Sequence, residues 1–109
     1  MADTFKNLGQ SNPANQTLTT LYTVPGATSA TVSSIVICNQ ATTFTKFRVS
    51  IAVAGAADTA AQYLYYDVPI NGNATFTATV GWTMAATDVL RIYAGSAYLS
   101  FNLFGVEVT

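Results

Sequence analysis

Few side chains in this protein can do chemistry. Its 109 residues include no histidine and a single cysteine, Cys38. A serine or cysteine nucleophile needs a base beside it, and imidazole is the usual one. A reactive thiol wants the same neighbour, so Cys38, in the apolar run Ile35-Val36-Ile37-Cys38, reads as a small buried hydrophobe. One cysteine supplies neither a zinc site nor an internal disulfide. Asp58, Asp67, Asp88 and Glu107 formally allow the carboxylate pair of a glycoside hydrolase. Each stands alone near a strand end or a loop, however, where a solvated carboxylate is the ordinary case. The chain has no Asp-x-Asp-x-Asp-Gly calcium loop, no phosphate-binding loop and no G-x-G-x-x-G turn. The expectation is a protein with no catalytic residues, no metal and no cofactor.

What remains is suited to contact. Tyr63-Leu64-Tyr65-Tyr66 is a dense aromatic cluster, with Tyr22, Tyr93 and Tyr98 elsewhere in the chain. Aromatic rings on a sheet face stack on sugars or bases, and they also fill cores and subunit interfaces. Nucleic acid is disfavoured, because Lys6, Lys46, Arg48 and Arg91 are the whole basic complement and gripping phosphates takes a basic cluster. Lys46 and Arg48 share one face of an alternating segment. They are expected to be solvated or paired, with Asp58 or Asp67 across a subunit boundary as one arrangement.

Half of the residues are hydrophobic and only 8% are charged, for a net charge of −1. A disordered chain shows the reverse balance. A chain of this length makes one domain and can bury roughly two thirds of its unfolded surface. Seventeen threonines outnumber the charged residues. Threonine favours pleated sheet and keeps a surface wet without charge. Copies of such a subunit repel one another weakly, since net charge is what keeps proteins apart. An ordinary β-domain that uses Thr in place of Lys and Glu would look the same. Residues Met1 to Lys6 lack the basic and apolar regions of a signal peptide. No apolar run approaches the ~20 residues of a membrane helix. The chain is therefore expected in a reducing cytosol, or released without classical secretion, with no membrane partner. Asn15-Gln16-Thr17 and Asn73-Ala74-Thr75 match the glycosylation sequon, which has no use without secretion.

The elements that must position these residues are strands. Helical periodicity is scarce and alternation is widespread. Residues 1–16 are polar and irregular, with Phe5 and Leu8 as large apolar anchors, and read as an extended N-terminal arm ahead of a domain over 17–109. Strands are expected at Thr17–Val24, closed by Pro25-Gly26, and at Ala30–Asn39. In the next, Phe47, Val49, Ile51 and Val53 face inward while Lys46, Arg48, Ser50 and Ala52 face out. A loop over Gly55–Ala60 leads to Gln62–Val68, with Tyr63 and Tyr65 on one face and Leu64 and Tyr66 on the other. Pro69 stops that strand or marks an edge. Asn71-Gly72 signals a hairpin. Ala74–Thr83 follows with Phe76, Ala78, Val80 and Trp82 inward. Val89–Ala94, a Gly95-Ser96 turn of the II′ kind and Ala97–Val108 complete the chain. About seven short strands with turns between them predict an all-β protein, an antiparallel β-sandwich or jelly-roll-like fold.

Several segments carry a resemblance. Leu8-Gly9-Gln10, Leu21-Tyr22-Thr23-Val24-Pro25, Ile37-Cys38-Asn39-Gln40, Tyr66-Asp67-Val68-Pro69, Ala86-Thr87-Asp88-Val89 and Ser100-Phe101-Asn102-Leu103-Phe104-Gly105 resemble, in order, a family of small virion structural proteins of tailed bacteriophages, many from phages of aquatic bacteria. The resemblance spans nearly the whole chain and rests on overall pattern rather than a catalytic signature. It implies a β-rich subunit of a virus particle, present in many copies and assembled in the host cytoplasm. The expected function is capsid decoration or cementing, with the major capsid protein or other virion proteins as partners and a homo-oligomer, a trimer favoured. Phe5, Leu8, Lys46, Arg48, Tyr63, Tyr65 and Tyr66 are the candidate interface. The alternative is a tail, fibre or baseplate accessory protein whose tyrosine-rich face contacts a host glycan. A free-standing carbohydrate-binding module is a third reading, and an enzyme comes last.

Overall fold

The computed structural model describes residues 2–109. Among them run eight strands: β1 (Asp3–Ser11), β2 (Thr19–Thr23), β3 (Ser29–Asn39), β4 (Thr45–Ala52), β5 (Tyr63–Ile70), β6 (Thr75–Met84), β7 (Val89–Ala94) and β8 (Leu99–Val108). Two short 3-10 turns, Val53–Gly55 and Ala60–Gln62, lie between β4 and β5. The strands form two four-stranded antiparallel sheets in the orders β1-β8-β3-β6 and β2-β7-β4-β5. Two four-stranded sheets with this interleaved order are a jelly roll, which realises the expected sandwich with one strand more than the sequence suggested.

The additional strand is β1. The expected arm is extended, but it is not free of the domain: Asp3 to Ser11 pair with β8 along its length. Leu8 turns into the core and is buried. Lys6 reaches the carboxylate of Glu107 at 2.9 Å. The polar composition of residues 1–16 misled because β1 is an edge strand. It needs one anchoring side chain, not an alternating apolar face.

Connections also differ from the expected hairpins. Among the described residues, the chain passes to the opposite sheet after every strand except β4, which is followed by its own neighbour β5. Asn71-Gly72 therefore joins β5 of one sheet to β6 of the other. Gly72 is needed there for clearance, since a Cβ would collide with the backbone of Thr42. Gly95-Ser96 likewise crosses between sheets, from β7 to β8, and Gly95 lacks the positive φ of a II′ turn. Buried Asn39 closes this end of the sandwich. Its side-chain amide donates to the carbonyls of Thr43 (3.0 Å) and Asn71 (3.1 Å), and its carbonyl accepts from the Ala41 N–H at 3.0 Å. A buried amide left unpaired here would be costly.

The core follows the predicted alternation on β6 and β8. Phe76, Ala78, Val80 and Trp82 pack toward the core from β6, and Leu99, Phe101 and Leu103 are fully buried. Phe47 lies between the sheets, with ring centroids 5.0 Å from Phe76 and 6.4 Å from Phe101. Burying each such side chain contributes about 1.5–3 kcal/mol. On β4 the inward alternation of Phe47, Val49 and Ile51 holds, in unbroken register with β7, but the outer side is partly covered as well and the pairing with β5 is irregular. Register shifts between Phe47 and Val49 and between Val49 and Ser50 mark two bulges against β5. Beyond them Ser50 and Ala52 are buried, whereas Val53, expected inside, is 71% exposed. The Ser50 hydroxyl has no partner among the described residues.

Glu107 sits at the other end of the sandwich, buried, where it accepts a 2.5 Å hydrogen bond from the Tyr22 hydroxyl. That bond, followed by Lys6, holds the Glu107 carboxyl below its ordinary value. A carboxylate with a lowered folded pKa contributes stability above its unfolded pKa and loses it as pH falls through the folded one. Denaturant unfolding should therefore show stability declining below about pH 4.5, and Glu107→Gln should flatten part of that decline while lowering stability at neutral pH. Removing residues 1–16 takes out a buried leucine, a ladder strand and the Lys6 partner. It should lower stability by at least about 3 kcal/mol, where a detachable arm would leave the unfolding midpoint unchanged.

Candidate functional site

The outer face of the β2-β7-β4-β5 sheet gathers Tyr63, Tyr66 and Tyr93 with Lys46, Asp58 and Asp67 around Arg48. Arg48 on β4 stands directly opposite Tyr93 on β7. Its guanidinium lies 4.4 Å from the Tyr93 ring centroid and 4.2 Å from that of Tyr66 on β5. Its Nε donates to the Asp67 carboxylate at 2.7 Å, and an Nη group reaches the second oxygen at 3.4 Å. Asp67 adopts a left-handed backbone, φ 51°, at the bulge in β5, and this turn sets its carboxylate beside Arg48. A planar guanidinium can stack on rings and bind a carboxylate at once, which an ammonium cannot. The hydrogen bond from Arg48 lowers the pKa of Asp67, and the same bond raises that of Arg48.

Beside this stack lies a hollow of about 600 Å³, lined by Arg48, Asp58, Thr59, Ala60, Tyr63 and Tyr66. That volume falls within the range of small-ligand sites. Tyr63 meets Tyr66 edge-on, with centroids 5.1 Å apart and an interplanar angle of 89°. The Tyr63 hydroxyl donates to Asp58 at 3.0 Å. Desolvation, reinforced by this hydrogen bond, raises the Tyr63 pKa, so the hydroxyl stays a donor. A smaller hollow of about 330 Å³ opens on the other side of Arg48, with Lys46 and Phe44 on its rim. The main hollow offers ring edges and faces, a carboxylate and planar N–H donors. Such a set suits a neutral polyhydroxylated ring. Two carboxylates nearby, with Arg48 already committed to one of them, oppose an anion.

The expected interface residues separate into three places. Lys46, Arg48, Tyr63 and Tyr66 come together here, and Tyr66 is 58% exposed. Phe5 is 81% exposed but belongs to β1 on the opposite sheet. Leu8 and Tyr65, expected at the interface, turn inward instead. Leu8 is in the core, and Tyr65 packs on Phe47, Phe76 and Trp82 with centroids 5.4–6.0 Å away. Tyr63 and Tyr65, expected on one face, are separated by the second bulge of the β4–β5 pair. The Arg48–Asp67 pair forms within one chain, where the sequence had suggested a subunit boundary. Tyr93 was missed as a partner of Arg48. The signal was its place between buried Ile92 and Ala94, which turns it outward.

Other groups are committed to structure. Tyr22 is buried against Glu107. Asp88, expected to be solvated, is buried and accepts from the N–H groups of Ala54 (2.9 Å) and Ala85 (3.0 Å). Cys38 is half-buried on the outer side of β3. Among the described residues, no cluster of three or more His, Cys, Asp or Glu side chains could hold a metal ion, and no helix is long and apolar enough to cross a membrane.

The outer face of the other sheet is of a different kind. Its three neighbouring strands β8, β3 and β6 contribute Ser100, Asn102, Phe104 and Val106, then Thr31, Ser34 and Val36, then Thr75, Thr77, Thr79 and Thr83, with no charge among them. No family model matches the chain, and neither a curated protein nor a solved structure does.

Each cation–π contact of a partly exposed arginine contributes about 0.5–1 kcal/mol. Arg48→Lys keeps the charge but loses the double stack, so urea unfolding should show a loss of about 1–2 kcal/mol. A loss indistinguishable from zero would mean that the stack carries no weight.

Proposed function

We propose that this chain is a structural subunit of a virus particle, a capsid decoration or cement protein that works by adhesion to the major capsid protein or other virion proteins. The observation that carries the reading is the uncharged face of β8, β3 and β6, a broad sheet surface that meets a partner without desolvating charge. Two further points support it. The jelly roll is an architecture used by viral capsid domains, although fold alone does not assign function. The segmental resemblance to small phage virion proteins points the same way. On this reading the protein is not an enzyme, and its place is the virion assembled in the host cytoplasm.

A second reading has its own observation. The hollow beside Arg48, with Tyr63, Tyr66 and Asp58, suits a sugar ring, and lectin domains also use the jelly roll. A tail, fibre or baseplate accessory protein that touches a host glycan would use it.

One comparison separates the two. Purified protein mixed with capsids that lack it should co-sediment with them to saturation and raise their resistance to heat or low salt. Phe104→Lys, which places a charge in the neutral face, should weaken attachment at least about tenfold, a change of 1.4 kcal/mol. Absence of attachment, together with glycan-array binding that Tyr66→Ala abolishes, would overturn the decoration reading in favour of the glycan one.

A further inference from the structure

Four strands stand at the edges of the two sheets: β1, β6, β2 and β5. An edge strand presents unpaired N–H and C=O groups, and proteins usually protect such edges with charge, proline, bulges or brevity. Three of the four are protected here. β1 carries Asp3 and Lys6 and a register shift between Asn7 and Gly9. β2 has five residues and a register shift between Thr20 and Tyr22. β5 carries Asp67 and Pro69 and two register shifts. β6 is ten residues long, with neither a charge nor a proline. Its irregularity comes only after Thr79, so Thr75 to Thr79 run in unbroken register along β3.

We propose that the free edge of β6 is a self-association site, where Thr75–Thr79 of one copy pairs antiparallel with the same segment of a second copy about a two-fold axis at Thr77. The proposal rests on the reading of this chain as a self-associating structural subunit. A second copy is the occupant that fits, for three reasons. The segment has no charge to oppose itself across the axis. The register puts Phe76 opposite Ala78, large against small, on the inner side. On the outer side it sets Thr75 opposite Thr79 and Thr77 opposite Thr77, a favourable cross-strand pairing. The half-buried Phe76, which touches Phe47 and Tyr65, gains cover at the same time. Pairing would join two four-stranded sheets into one of eight and extend the uncharged face across the axis. Because the contact is isologous, it builds even-numbered assemblies, in place of the trimer favoured from the sequence.

The test uses the full chain and charge exchange at Thr77, an exposed position. Light scattering after size exclusion should give twice the 11.5 kDa of the chain. Thr77→Lys and Thr77→Glu should each halve that mass while keeping the β-sheet circular dichroism and a cooperative unfolding transition, whose midpoint falls only by what the lost association contributed. An equimolar mixture of the two variants should restore the pair. A monomeric or trimeric unsubstituted protein, or a pair that survives both single substitutions, overturns the proposal. Capsid attachment is scored separately. An unsubstituted monomer that still coats capsids overturns the pairing alone, and a β6-paired dimer that ignores capsids overturns the decoration reading alone.

Discussion

Phe47 holds the two sheets together. Its ring touches Phe76 and Phe101 on the opposite sheet and Tyr65 on its own. Among the described residues the chain remains within a sheet only from β4 to β5. Neighbours within a sheet are therefore mostly distant in sequence, and no two-strand unit is stable until the other sheet covers it. The aromatic centre meets that demand, because large rings from β4, β5, β6 and β8 meet at one point. Long-range closure of this kind makes folding slow compared with local topologies.

The β4–β5 bulges follow from the same constraint. Phe47, Val49 and Tyr65 must face inward, while Arg48, Asp67 and Tyr66 gather outside. Unbroken pairing would keep Tyr63 on the face of Tyr65. The bulges reset the alternation, and Tyr63 turns outward to meet Tyr66 and Asp58. The candidate hollow thus combines strand register, which brings Arg48, Tyr63 and Tyr66 together, with the β4–β5 connection, which supplies Asp58, Thr59 and Ala60.

Charge is used sparingly and mostly internally. Arg48 takes Asp67, Lys6 takes Glu107, and Asp88 caps backbone N–H groups. A chain that commits its few charges to its own structure has little left to make its surface repel copies or partners. The uncharged face of β8, β3 and β6 is the direct result.

The all-β class, the inward faces of β6 and β8 and the edge position of Pro69 were legible in the sequence. Each depends on residue type and local alternation, which act over a few neighbours. The strand status of Asp3–Ser11, the sheet-crossing at Asn71-Gly72 and Gly95-Ser96, the burial of Asp88 and Glu107, and the Arg48–Tyr93 stack were not. Those depend on which strand lies beside which, and side chains tens of residues apart meet only after both sheets have closed. Composition therefore set what kind of surface this protein presents, whereas tertiary pairing alone decided which residues share a face and which strand edge stays open.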